Sequence, residues 1–163
     1  MRLPKHLFAR SARRLFPEAC LQRISEAIAR DELWHRGEVC FAVESALAWR
    51  GVWAGRKARD RADEVFSRLR VWDTAENNGI LIYLLLADRR IEILADRGLA
   101  GRVSDEQWRG VCLLMEERLR AGDAEAAVLQ GVAAAGELLA VHFPRIDGRD
   151  DRNELPDRPQ VLD

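Results

Sequence analysis

Four oxygen-bearing side chains, Glu38, Asp73, Asn78 and Asp96, are the residues best suited to chemistry in this chain. Carboxylate and amide oxygens are the donors that hard cations such as Ca2+ and Mg2+ prefer. The four lie far apart in the sequence, so they make a site only if the fold gathers them. The stretch that would do this is NNGILIYLLLADRRIEILADRG, residues 77–98, with an apolar run over 80–87 and a second run over 90–96. Folded as a hairpin about Asp88-Arg89, position 79 falls roughly opposite 98 and 81 opposite 96. Asn77 and Asn78 then join Asp96, Arg97 and Gly98 at one end of a sheet. A parallel strand starting at Glu38 would begin at the same end, and Asp73 would reach it from the preceding loop. The ordinary alternative is that carboxylates and amides at strand ends are solvated or cap loops. No dense Asp-x-Asp-x-Asp loop supports the cation reading.

Other chemical devices are missing from the sequence. It contains no Walker loop, Gly-x-Gly-x-x-Gly, Gly-x-Ser-x-Gly or His-Glu-x-x-His pattern. Asn77-Asn78-Gly79 precedes a strand, whereas phosphate cradles open a helix. His142 falls on an apolar helix face beside Phe143 and reads as a packed residue. Trp34, Trp49, Trp53, Trp72 and Trp108 are expected in core stripes or loops, so core packing is favoured over base stacking. Cys20, Cys40 and Cys112 are odd in number and far apart, which fits buried thiols in a reducing compartment.

The elements that must place the four oxygens follow from periodicity. After Pro17, Leu21, Ile24 and Ile28 recur at helical spacing. GEVCFAVES, residues 37–45, alternates with period two. Residues 56–72 carry an apolar helical stripe through Ala58, Ala62, Val65, Phe66 and Leu69. Trp49 and Trp53 flank Gly51 in an expected loop. The run over 80–87 is apolar on both faces, as in a central strand covered on each side. Ser104 and Gln107 read as a capping box, Gly122 as a helix stop and Asp123 as the cap of a last helix that Pro144 closes. The order helix, strand, helix, strand, strand, helix, helix points to α/β layers, with the strands at 38–44 and 80–87 parallel and that at 90–96 antiparallel.

The chain has 163 residues and a formal charge of −1, which gives one domain and no global basic field, so nucleic acid is not an expected partner. A basic arm occupies residues 1–15, the globular domain 16–144, and a polar tail with Pro156 and Pro159 residues 145–163. The first 17 residues hold five Lys/Arg and no acid, with Leu3, Leu7, Phe8, Leu15 and Phe16 between them. Such an arm suits an anionic membrane surface or a protein partner, or it docks on its own domain. The run over 80–87 is far shorter than the roughly 20 residues of a spanning helix, and no signal peptide is recognisable, so a cytoplasmic location is expected.

Several of these segments together resemble the TPM-domain family: Gly37-Glu38 with its strand, RVWDTAENNGILIYLLLADRRIEILADRG, GLAGRVSDEQW and LQGVAAAGELLAVHFP. The resemblance covers about residues 16–144 and is greatest to the short, soluble bacterial branch. It implies a three-layer α/β/α sandwich with a central mixed sheet. It further implies either a non-catalytic interaction module or a weak, divalent-metal-dependent acid phosphatase. In the metal-binding branch the corresponding tripeptide is Asp-Asn-Gly; here Asn77 removes one carboxylate.

Overall fold

The structure is a computed structural model that describes residues 2–7, 9–148 and 151–163, so Met1 and Phe8 of the basic arm lie outside the described residues. At its centre are three strands, β1 (Glu38–Glu44), β2 (Gly79–Leu85) and β3 (Arg90–Ala95). β1 and β2 are buried along their whole length, which accounts for their unbroken apolar runs. They pair in parallel, Glu38 opposite Gly79 and Glu44 opposite Leu85, while β3 adds antiparallel to β2. Alternation along β1 and β2 makes two cores. Val39, Phe41, Val43, Ile80, Ile82 and Leu84 enter one, and Cys40, Ala42, Leu81, Tyr83 and Leu85 the other.

The first core is covered by α3 (Glu18–Asp31), α6 (Asp105–Arg120) and α7 (Ala124–His142). The expected capping box opens α6, Ser104 Oγ accepting the Gln107 N–H at 3.2 Å and Gln107 Oε1 the Ser104 N–H at 2.9 Å. Asp123 caps α7 through the Ala126 N–H at 2.9 Å. α7 has the length and apolar composition of a membrane-crossing helix, and its buried stripe packs on α3 and α6. The second core lies under α5 (Ala58–Arg68) and the single turn α4 (Trp49–Trp53), where the sequence suggests only a loop. Helices on both faces of a mixed sheet make the α/β/α sandwich.

The hairpin register and the C-terminal segment differ from the sequence reading. The hairpin turn takes residues 86–89, so Ile80 faces Ala95 and the register moves by two residues from the expected one. For the basic arm the self-docked alternative holds: the residues described form two short helices, α1 (Leu3–Leu7) and α2 (Ala12–Leu15), seated on the domain with His6 and Ala12 buried. The segment after residue 150, expected as a tail, folds back and lays β4 (Gln160–Val161) parallel to β1, so the sheet order is β3-β2-β1-β4. Two ladder pairs are too few to leave a periodic signal in so polar a segment.

Candidate functional site

Asn78, immediately before β2, is fully buried. Its N–H donates to Thr74 Oγ1 at 3.1 Å and its Nδ2 to the Arg36 carbonyl at 2.8 Å, which ties the loop after α3 to the start of β2. Its Oδ1 is buried with no hydrogen-bond partner. Across the adjacent rung, the Asp96 N–H donates to the Gly79 carbonyl at 2.9 Å. Asp96 Oδ1 accepts the Arg97 N–H at 2.8 Å and caps a short 3-10 turn, Arg97–Leu99, while its Oδ2 is buried and unpartnered. A buried oxygen without a donor costs about 1–3 kcal/mol, so two at one sheet end are unusual. Gly98 closes the edge. Its N–H donates to the Asn77 carbonyl at 2.7 Å, and a Cβ there would collide with the carbonyls of Glu76 and Asn77.

Glu38 and Asp73 do not join this pair. Alternation sends Glu38 to the face of Cys40 and Ala42, opposite the face that Asn78 shares with Ile80. There the Glu38 carboxylate accepts the Glu154 N–H at 2.9 Å and the Leu155 N–H at 3.2 Å. Burial pushes its carboxyl up to about 7, against the pull of those two hydrogen bonds. Asp73 is exposed and pairs with Arg70 at 2.6 Å. Of the four expected ligands, Asn78 and Asp96 each leave one buried oxygen unpartnered, while Glu38 and Asp73 are engaged elsewhere. Among the described residues, no group of three or more His, Cys, Asp or Glu is arranged to hold a metal.

Sequence reading missed Glu32, just past the end of α3. Its Oε1 accepts the Val39 N–H at 3.1 Å, and burial, then the nearby Glu38 charge, push its carboxyl up to about 9. Nothing in the helical pattern marks it, because its partner is a strand backbone group. The thiols behave as expected of buried cysteines: burial pushes Cys20 and Cys40 up to about 12 and the half-buried Cys112 to about 11.

The opposite end of the sheet carries different polar groups. Buried Glu44 accepts both Arg61 Nε and Nη2 at 2.9 Å, and the Tyr83 hydroxyl donates to it at 2.6 Å. Burial and the bond to Glu44 raise the Tyr83 phenol. Asp88, in the hairpin turn, pairs with Arg2 and accepts from His6 Nε2 at 3.0 Å, while His6 Nδ1 accepts the Leu47 N–H at 3.0 Å. The Arg2 guanidinium holds the Asp88 carboxyl below its usual range. These contacts seat α1 on α4.

Outside that seat the surface is apolar and cationic. Leu7 is 65% exposed, Trp49 59% and Trp53 75%, and the Arg50 guanidinium lies 5.4 Å from the Trp49 ring centre. Lys5, Arg10, Arg13, Arg14, Arg50 and Lys57 are exposed. Trp34 and Trp72 are also exposed, so four of the five tryptophans lie outside the core, where sequence reasoning expected core stripes or loops. Their indoles sit at helix ends and in loops, where an aromatic residue carries no helical register to give its exposure away.

Comparison with known proteins explains the architecture. A search of curated proteins finds no match. Among solved structures, the NMR structure of BA42 protein from the psychrophilic bacterium Bizionia argentinensis superposes with a TM-score of 0.76 at 28% identity, covering 88% of this chain and 92% of that one. The family model described as TPM domain matches residues 12–138, nearly all of the sheet and the helices that cover it. The chain therefore belongs to the TPM-domain family.

Proposed function

We propose that this TPM-domain protein is a cytoplasmic, non-catalytic interaction module whose α1–α4 face rests on an anionic membrane surface. The observation that carries this reading is the pairing of exposed Leu7, Trp49 and Trp53 with exposed Lys5, Arg10, Arg13, Arg14, Arg50 and Lys57. Residues 2–16 hold five Lys/Arg and residues 46–59 hold four, and neither segment contains an acid. Indoles favour the headgroup region, and each cation held near an anionic leaflet contributes about 1 kcal/mol. Arg2, Arg56 and Arg59 are paired with Asp88, Glu64 and Glu92, and a chain of net charge −1 gains little from its global field, so the exposed Lys5, Arg10, Arg13, Arg14, Arg50 and Lys57 are what favour this face. Co-sedimentation with phosphatidylcholine vesicles, with and without phosphatidylserine, tests the proposal. Binding should require the anionic lipid and weaken with added salt. Equal sedimentation with both vesicle types would overturn it, and binding to neither would point to a protein partner instead.

A second reading is favoured by the unpartnered oxygens of Asn78 and Asp96. A Ca2+ or Mg2+ ion bound at either oxygen would satisfy it, helped by backbone carbonyls beside Gly98. It would also supply the Lewis acid that a weak phosphoester hydrolase needs. Titration with either metal, followed by amide NMR, should move the Asn78, Asp96 and Gly98 signals. Unmoved signals at millimolar metal would sink this reading.

A further inference from the structure

The outer edge of β1 is built to receive an extended peptide. The Val39 and Ser45 N–H groups and the Val43 carbonyl point away from β2, toward the side where β4 lies. A sheet edge with open donors and acceptors is a template for strand addition, and proteins cover such edges. Here the cover is residues 151–163, which lie beyond the TPM domain match at 12–138. The domain that the family shares thus supplies the edge, and a separate segment fills it.

The groove grips its occupant as peptide-binding sites do, through backbone groups and two apolar plugs. At one end the buried Glu38 carboxylate takes the consecutive N–H groups of residues 154 and 155. Leu155 is 7% exposed and enters the core under α5, and Leu162 packs against the same core. Between them Ala42 pairs with Gln160 and Val43 with Val161. The Leu162 N–H donates to the Val43 carbonyl at 2.9 Å. Acidic side chains of the occupant cap open donors of the groove: Glu154 takes the Ala75 N–H at 2.8 Å, and Asp163 the Ser45 N–H at 2.8 Å and hydroxyl at 2.6 Å. Pro156 and Pro159 keep the intervening backbone extended at the cost of ladder bonds. The occupant's ion pairs, Arg158 with Glu18 and Asp151 with Arg145, lie at the surface and contribute little.

We infer that the outer edge of β1, from Glu38 to Ser45, is a peptide-docking groove that the chain's own 151–163 segment keeps closed. The partner it fits is an extended protein segment of the same chemistry: an acid, leucine and proline, followed five residues on by an aliphatic pair and an acid. The pairing is parallel, so the partner must run in the β1 direction.

The test uses a fluorescein-labelled peptide of residues 151–163 and the full chain in three forms: unaltered, Leu155→Asp and Leu162→Asp. Both substitutions weaken the resident segment and leave the groove untouched. Fluorescence anisotropy should show at least tenfold tighter peptide binding to either variant than to the unaltered chain, with a scrambled peptide binding to none. Amide NMR should show residues 12–138 still folded in both variants, with shifts confined to groups that contact the segment, such as Ser45 and Ala75. The inference is overturned if neither variant binds the peptide more tightly than the unaltered chain. It is equally overturned if both variants lose the fold, because the segment would then be an integral strand.

Discussion

The two ends of the sheet hold similar residue types and use them in opposite ways. At the Glu44 end every principal polar group is consumed internally: Glu44 by Arg61 and Tyr83, and Asp88 by Arg2 and His6. What that end offers outward is Leu7, Trp49 and Trp53 among cations. At the Asn78 end the exposed Trp34 and Trp72 sit among charges of both signs, Arg70 paired with Asp73 and Arg36 with Glu76, and two oxygens remain unpartnered inside. Carboxylates gathered at a strand end are thus a poor guide to function when read alone. The informative features are the apolar groups left outside and the polar groups left unpaired inside.

The largest effect should come from breaking the satisfied end. Glu44→Ala leaves Arg61 and the Tyr83 hydroxyl buried without their acceptor and should cost about 3–5 kcal/mol in urea unfolding. A loss below 1 kcal/mol would remove the contrast between the ends. Asn78→Ala should cost less, about 1–3 kcal/mol, because it frees the Arg36 carbonyl but also deletes an unpartnered oxygen. If Asn78→Ala proved as costly as Glu44→Ala, the Asn78 end would be as tightly satisfied as its opposite.

A pH profile sharpens the comparison further. The Glu38 carboxyl is raised to about 7 by burial from an ordinary value near 4.5, so the folded state binds a proton that the unfolded state has released. That contribution is fully present below about 4.5 and is lost as pH rises through about 7. Glu32, raised to about 9, extends the same trend to higher pH. The melting temperature should therefore fall between pH 5 and pH 8, roughly the window these two groups titrate in, and Glu38→Gln should flatten the fall. An identical profile in the variant would show that Glu38 is not the group responsible. The smallest stability effect belongs to the exposed patch: Trp49→Ala with Trp53→Ala should change unfolding by no more than about 0.5 kcal/mol per site.

Much of the fold was legible because the strands and long helices carry strong periodicity. β1 needed only the alternation of Val39, Phe41 and Val43, and α6 announced itself through Ser104 and Gln107. The hairpin register slipped because Asp88-Arg89 lacks the residues that mark a two-residue turn, and the real turn takes four. The candidate site was only half legible. Asn78, Asp96 and Glu38 do come to one sheet end, but Glu38 and Asp96 both fall opposite Gly79, so their side chains alternate onto the face away from Asn78. The β4 segment and Glu32 were invisible for a common reason: each is fixed by backbone donors and acceptors far away in the chain, which no local pattern encodes. Trp49 and Trp53, expected in a loop, lie instead on the single turn α4 and are exposed. Their exposure is the observation from which the membrane reading starts.

Vesicle co-sedimentation of the Trp49→Ala/Trp53→Ala protein beside the unaltered chain tests the central claim most directly. The unaltered chain should sediment with phosphatidylserine-containing vesicles and stay in solution with phosphatidylcholine alone. The double variant, with an unchanged melting temperature, should lose at least tenfold in affinity for the anionic vesicles, as expected when two interfacial indoles are removed. Undiminished binding by the double variant would contradict the account.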